Sequence, residues 1–380
     1  MMEIYLDNAA TTRVCTEAAD AAYKVMTECY GNPGSTHAKG REARAVVDEA
    51  RKKVADALGC TPREVTFTSG GTESDNWAIL EGVKANRRVG RHVITSKTEH
   101  EAVLRPMEKL AHEGYDVTFL TPDSTGAVSV DAVREALRDD TALISLMMVN
   151  NETGAVTDIA GIAKMLRAAK SKALLHTDAV QGFLKEPFAA KTLGADMISV
   201  SGHKIHAPKG IGALYIRQGV KLGAYILGGG QEEGLRSGTE PTPLIAAFGE
   251  AARIGKASLK ETNARLEALR SECVRTLGET VDGIVFLGGG SSHILSLSLP
   301  GYRSEVLMNY LEAQGIYVSK SSACRRGKRS HVLEAMGVPD RITDGALRVS
   351  FSRYTTGEEC AAFCAALAKA KNELFPSLGR

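Results

Sequence analysis

No run in this sequence approaches the roughly 18 consecutive apolar residues that a membrane helix needs, so no membrane role is expected. It has no excess of charge of either sign: 47 Lys and Arg stand against 45 Asp and Glu, a net of +2. A dedicated nucleic-acid binder normally carries a strongly basic domain, and no direct nucleic-acid contact is expected beyond a local basic patch. Cysteine is sparse and scattered, at positions 15, 29, 60, 273, 324, 360 and 364, with no C-x-x-C pair. An odd, dispersed set fits neither a disulfide framework nor a zinc ribbon, and no metal is expected. There is no internal repeat, no low-complexity tract and no long block of one charge. Residues Met1 to Asn8 lack the basic start and apolar run of a secretory leader, which makes the cytoplasm the expected location.

What is present is an ordinary globular balance, 43% hydrophobic and 24% charged. The 380 residues suggest two domains, or one large and one small. From about Arg41 to Arg217 short β-rich runs alternate with helical stretches. The runs are Val65–Thr68, His92–Thr95, Val117–Leu120, Leu143–Val149, Leu174–Thr177, Met197–Val200 and Ala213–Ile216. The helices are Ala45–Leu58, stopped by Gly59, then Val130–Leu137 and Ile162–Ala169. Such alternation predicts an α/β fold with a mostly parallel seven-stranded sheet flanked by helices. After Ala257 the rhythm changes to a helix over Ser258–Leu277, apolar runs at Ile284–Leu287 and Ile294–Leu299, and a helix over Ser304–Gln314. Strands at Ile316–Val318 and Leu347–Phe351 follow, then a helix near Gly357–Phe375, all of which predict a smaller α+β domain. The division expected is a large domain over 13–257 and a small one made of 1–12 with 258–380.

Five segments carry candidate chemistry. Ser69-Gly70-Gly71-Thr72-Glu73-Ser74 follows a strand and opens a helix, where free N–H groups and the positive dipole end suit a phosphate; it also reads as a plain capped turn. Asp178, in His176-Thr177-Asp178-Ala179-Val180-Gln181, sits at the end of an apolar strand where α/β sheets bind ligands, or serves as a helix cap. Lys204, in Ser201-Gly202-His203-Lys204-Ile205-His206, is a candidate Schiff-base lysine if partly desolvated, or a surface lysine. Cys324, in Ser321-Ser322-Ala323-Cys324-Arg325-Arg326-Gly327-Lys328-Arg329, stands among cations that favour the thiolate, whereas Cys360 and Cys364 read as core filler in an Ala-rich helix. The glycine-rich loop Gly228–Thr239 reads as an anion-binding loop or a flexible one.

A phosphate cradle, an acid, a Schiff-base lysine and a reactive thiol together call for pyridoxal phosphate (PLP), whose phosphate, ring nitrogen and aldehyde need those partners. The chain closely resembles the cysteine desulfurases of the NifS/IscS-like group, within the class V aminotransferase family and PLP fold type I. The resemblance runs from Tyr5-Leu6-Asp7-Asn8-Ala9-Ala10-Thr11-Thr12 through Tyr30-Gly31-Asn32-Pro33-Gly34-Ser35 to Arg348-Val349-Ser350-Phe351-Ser352-Arg353-Tyr354-Thr355-Thr356.

The resemblance implies that Lys204 holds PLP covalently and that Asp178 pairs with its ring nitrogen. His100, in Thr98-Glu99-His100-Glu101, would stack on the ring and share in proton transfer. Gln181 would bond the phenolic oxygen, and Asn151 would lie beside cofactor and substrate. Gly71, Thr72, Ser201 and His203 would hold the phosphate, with Thr239 reaching it from the second subunit of a homodimer. Arg348 would bind the substrate carboxylate, a task suited to a guanidinium. The implied reaction converts L-cysteine to L-alanine and leaves the sulfur on Cys324 as a persulfide. An acceptor protein then collects it by thiol exchange, either an iron–sulfur scaffold or a tRNA-thiolation enzyme.

One departure stands out. The family loop commonly continues Ser-Ser-Gly after the cysteine, and here it reads Arg325-Arg326-Gly327. Lys320, Arg325, Arg326, Lys328 and Arg329 would either depress the pKa of Cys324, steer an acidic acceptor, or simply form a solvated loop. Rival functions are selenocysteine lyase and an aminotransferase on the same fold. Cys324 argues against transamination, which needs no thiol. A catalytically silent binding protein is a third alternative.

Overall fold

The computed structural model describes residues 3–321 and 329–376. In chain order it opens with β1 (Ile4–Tyr5), α1 (Thr16–Thr27) and α2 (Ala38–Leu58). The α/β region then runs β2 (Val65–Thr68), α3 (Gly71–Ala85), β3 (His92–Ser96), α4 (Glu101–His112), β4 (Asp116–Leu120) and α5 (Val130–Ala136). It continues β5 (Thr141–Ser145), α6 (Ile159–Ala168), β6 (Leu174–Asp178), α7 (Ala190–Leu193), β7 (Met197–Ser201) and β8 (Gly212–Ile216).

Local chemistry sets several of these boundaries. Gly59 takes φ +70 to end α2, the left-handed conformation that glycine adopts without a Cβ penalty. Ser129 and Asp158 cap α5 and α6 by accepting the N–H of Ala132 and Gly161.

The seven strands β2 to β8 form one sheet in the order β2-β8-β7-β6-β5-β3-β4. It is parallel except for β8, which runs antiparallel to both β2 and β7. Apolar clusters cover both faces, one around Val47, Ile144, Ile198 and Phe248, the other around Trp77, Val93, Leu143 and Met197. The strand order reverses between β3 and β5, since β4 lies outside β3 while β5, β6 and β7 lie on its other side. Loops leaving the C-terminal ends of strands beside such a reversal form a crevice, the usual ligand site of open α/β sheets.

A single helix, α8 (Thr242–Thr280), leads out of this region. At 1.5 Å per residue it is about 58 Å long. Its first half buries Ile245, Phe248 and Ala251 against the large sheet's helices, and its second half buries Leu266, Cys273 and Leu277 in a separate core. That core belongs to β9 (Val285–Leu287), β10 (Ile294–Ser298), α9 (Ser304–Glu312), β11 (Ile316–Tyr317) and β12 (Ser319–Lys320). With α10 (His331–Ala335), α11 (Asp340–Thr343), β13 (Ala346–Ser350) and α12 (Gly357–Glu373) they make a body built on the sheet β12-β13-β10-β9. The N-terminus joins it: β1 pairs with β11, and Asp7 bridges to Ser350. Among the described residues no helix is long and apolar enough to cross a membrane.

Candidate active site

The site is built at the neighbouring C-terminal ends of β6 and β7. Asp178 is the last residue of β6, paired with Ser199 of β7, and β7 turns at once into the short helical turn Gly202–Lys204. Lys204 Nζ donates to the carbonyls of Ala9 and Ala10, 2.7 Å each. Gln181, on the turn after β6, donates to the same Ala9 oxygen at 2.8 Å. The segment from Asn8 to Thr12 is thus a floor shared by both side chains. It is fixed by Asn8 and Ala9, which donate to Ser350, and by Thr12, whose N–H donates to His203 O at 2.9 Å.

The β2–α3 turn faces this floor. Gly70 has φ +152, in the range that favours glycine. A Cβ on Gly71 would lie 2.6 Å from Val180 Cγ2 and 3.7 Å from Ser201 Cβ. The turn therefore packs directly onto the residue between Asp178 and Gln181. The first N–H groups of a helix have no intrahelical acceptor; those of Gly71, Thr72 and Glu73 have no partner among the described residues. Glu73 is held aside by Arg236, at 2.8 and 3.1 Å, and by the N–H of Ser69.

His100 caps α4, its Nδ1 accepting the Ala102 N–H at 3.1 Å. Burial pushes Asp178 up from the ordinary carboxylate range, and the Val180 N–H with the charges on His100 and Lys204 pulls it back. Two further buried acids lie behind it. Asp75, on the inner face of α3, is pushed well up by burial and by Asp178. Glu99 is pushed up to about 8 by burial, although Ser96 and the Met147 N–H donate to it. His176, two residues before Asp178 and so on the same face of β6, sits between Ser145 and Ser199 at 2.8 and 2.9 Å and is pushed down to about 3 by burial. His203 is pushed down to about 4 by burial and the nearby Lys204, its Nδ1 lying 3.1 Å from Thr11 Oγ1. His206 bonds the Arg13 carbonyl and packs edge-on against Tyr354.

Arg348, on β13, is 2% exposed and donates to Asn151 O at 2.8 Å and to Asp7 Oδ1 at 2.9 Å. These use two of the five guanidinium N–H groups, and the Nε–H has no partner among the described residues, so donors remain for a carboxylate. The neighbouring Asn150 is fully engaged with Thr98, Glu152 and Thr153, which leaves Asn151 as the asparagine with a side chain to offer.

Cys324, with Arg325 and Arg326, lies outside the described residues. The residues flanking that segment do reach the site. Ser319 pairs with Arg348, Ser330 donates to Glu152, and His331 lies 3.0 Å from the carbonyl oxygen of Glu99. Thr239 is exposed, and among the described residues it has no hydrogen bond to the other site residues. The expected group of five loop cations is also reduced: Lys320 pairs with Glu305 and Arg329 with Asp340 and Asp344, so those two charges are already matched by acids. Sequence reasoning missed the carbonyl floor of Ala9 and Ala10, the acids Asp75 and Glu99, and the side chains of Lys185 and His293 behind Gln181. For Asp75 the signal was a charged residue on the helix face shared with Gly71, Ala78 and Gly82.

The family description "Aminotransferase class-V" matches residues 4–363. The chain is 43% identical over 362 residues to "Cysteine desulfurase IscS" of Methanosarcina thermophila, spanning 94% of this chain and 89% of that protein. A solved "NIFS-LIKE PROTEIN" superposes with a TM-score of 0.92 at 38% identity, covering 98% of this chain and 100% of that one. The structure titled "SspA in complex with cysteine" gives 0.79 at 33% identity, over 93% and 100%. With its lysine, aspartate and glycine turn in one crevice, the chain belongs to the PLP-dependent class-V aminotransferase family, among the cysteine desulfurases of the NifS/IscS-like group.

Proposed function

We propose that this chain removes sulfur from L-cysteine, releasing L-alanine and passing the sulfur through Cys324. The observation that carries this reading is the convergence of Lys204, Asp178 and the free N–H groups of Gly71 to Glu73 on one crevice, beside an arginine with an unused donor. The residues present fit PLP. The helix end of α3, with Ser201 and His203, suits its phosphate; Asp178 suits its ring nitrogen; Gln181 suits its phenolic oxygen; Lys204 suits its aldehyde. When bound, the cofactor supplies an electron sink for the bonds at the substrate's Cα.

The chain's own groups do the rest. Arg348 orients the substrate by its carboxylate, with Asn151 alongside. Asp178 supplies the negative charge opposite the ring nitrogen, in a pocket where burial strengthens that interaction. Lys204, whose Nζ lies at the carbonyls of Ala9 and Ala10, would hold the cofactor's aldehyde and move the substrate's Cα proton. The thiolate of Cys324 then forms an S–S bond to the substrate sulfur as the C–S bond breaks. The carbon side keeps the electron pair, gains a proton and leaves as alanine. A thiol on the acceptor later takes the sulfur by exchange.

The reading extends to a homodimer in which Thr239 of the partner subunit completes the phosphate site, supported by the exposed position of that residue on its own loop. It extends equally to a cytoplasmic acceptor, an iron–sulfur scaffold or a tRNA-thiolation enzyme. The test is product analysis with added PLP and a thiol reductant. Alanine and sulfide in equal amounts from L-cysteine are expected, with no amino-group exchange when a 2-oxo acid is supplied. Amino-group exchange without sulfide would replace this reading with an aminotransferase, and turnover confined to selenocysteine would replace it with a lyase.

A further inference from the structure

Behind Gln181 lies a group of side chains that the reaction above does not use. Lys185, four residues further along the same turn, donates from Nζ to Gln181 Oε1 at 3.0 Å. His293, just before β10 in the smaller body, places Nε2 3.3 Å from the same oxygen. On its other side Gln181 is spent on Ala9 O, the carbonyl that also accepts Lys204 Nζ. Reversing the amide would set its oxygen against the Ala9 oxygen and its NH2 against the Lys185 amine. The donor set therefore fixes one orientation, with the N–H group toward Lys204.

Among the described residues no acid pairs with the Lys185 amine. Asn263 of α8 donates to its backbone carbonyl, and the adjacent Glu186 is engaged by Ser291, which also lies 2.5 Å from His293 Nδ1. The groups facing it are the cations Lys204 and Arg348, His293 and Glu186. Withdrawal from water and the two cations push Lys185 well below the ordinary lysine range, and Glu186 offsets this only in part. His293 is pushed down by burial and by the charges on Lys185 and Arg348. Lys185, His293 and Lys204 line one cavity together with Thr262 and Leu266 of α8 and Phe351. Burial thus biases Lys185 toward its neutral amine, which keeps N–H donors for Gln181 Oε1.

We infer that Lys185 is a positioning residue of the active centre: it clamps the Gln181 oxygen so that the Gln181 N–H stays turned toward Lys204. This rests on reading Gln181 as the donor to the cofactor's phenolic oxygen. A donor there stabilises the phenolate and lowers the pH at which the Lys204-linked cofactor loses its proton, so losing the clamp raises that pH. The experiment is a pH titration of the visible absorbance of the holoenzyme. Lys185→Met is expected to move the midpoint upward by ~0.5–1 pH unit, the worth of one hydrogen bond. Lys185→Gln, which keeps an N–H donor, recovers part of the shift. In a Gln181→Ala background Lys185→Met adds nothing, because residues acting in series are not additive. A midpoint in Lys185→Met unchanged from wild type overturns the inference, as does an undiminished further shift in the Gln181→Ala background. If Lys185→Met fails to fold, the Lys185→Gln pair, alone and with Gln181→Ala, decides by the same comparison. Failure of the wild type to bind PLP at Lys204 would instead overturn the parent reading.

Discussion

Lys204→Ala is expected to lose turnover by at least ~10³-fold while still binding PLP. One side chain performs two tasks here, the covalent hold on the cofactor and the transfer of the Cα proton, and positioned proton transfer alone is worth about 10²–10⁴-fold. The substitution leaves the other candidate anchors in place on their own segments: the glycine turn opens α3, Asp178 and Ser201 end β6 and β7, and Gln181 follows β6, while the Ala9 and Ala10 carbonyls lose the Lys204 bonds. Borohydride reduction followed by peptide mapping separates the tasks. Wild type is expected to carry the reduced cofactor on the Lys204 peptide, and the variant on none. Label found on Lys185, which lines the same cavity, would mean that the covalent role belongs to the other lysine.

The second large effect is expected at Arg348. It is almost wholly buried, with two of its five N–H groups spent on Asn151 O and Asp7 and its Nε–H without a partner among the described residues. Truncating one member of a buried, hydrogen-bonded charge pair costs about 2–5 kcal/mol. Arg348→Ala is therefore expected to lower kcat/KM for L-cysteine by about 10²–10³-fold, with most of the loss in KM. Arg348→Lys should recover little, because an ammonium does not reproduce the fork that serves Asp7, the Asn151 carbonyl and a carboxylate together. Steady-state kinetics check this; a KM unchanged in Arg348→Ala would remove the residue from substrate binding.

The large sheet was legible because its strands are buried on both faces and read as short apolar runs between helical segments. The limits of that reading have physical causes. The run Leu143–Val149 overstates β5, which ends at Ser145. Beyond it Leu146 and Met148 still donate to β6 carbonyls, so the segment stays apolar without continuing as a strand. Helix α8 starts at Thr242, sixteen residues before the expected Ser258. Its first half is rich in small residues and packs closely on α2, where a Cβ on Gly249 would lie 2.7 Å from Ala50 Cα; a stretch buried so broadly shows no amphipathic stripe. The 257/258 division accordingly falls inside one helix.

At the site, Lys204, Asp178 and the glycine turn were legible because each follows a strand directly. Asn151 and Arg348 came only from resemblance, since a single asparagine or strand arginine has no local pattern. Lys185 and His293 were illegible for a further reason. They meet at Gln181 from segments more than a hundred residues apart, and nothing in either segment announces the other.

The central claim is that the substrate's sulfur passes through Cys324, and a single-turnover experiment tests it most directly. The holoenzyme is mixed with one equivalent of L-cysteine without reductant, alanine is quantified, and peptides are mapped by mass. The account predicts one alanine per active site and the mass of one sulfur atom added to the Cys324 peptide, with that addition and reductant-released sulfide both lost in Cys324→Ala. Alanine formed with the added sulfur on another cysteine, or sulfide release undiminished in Cys324→Ala, would contradict it.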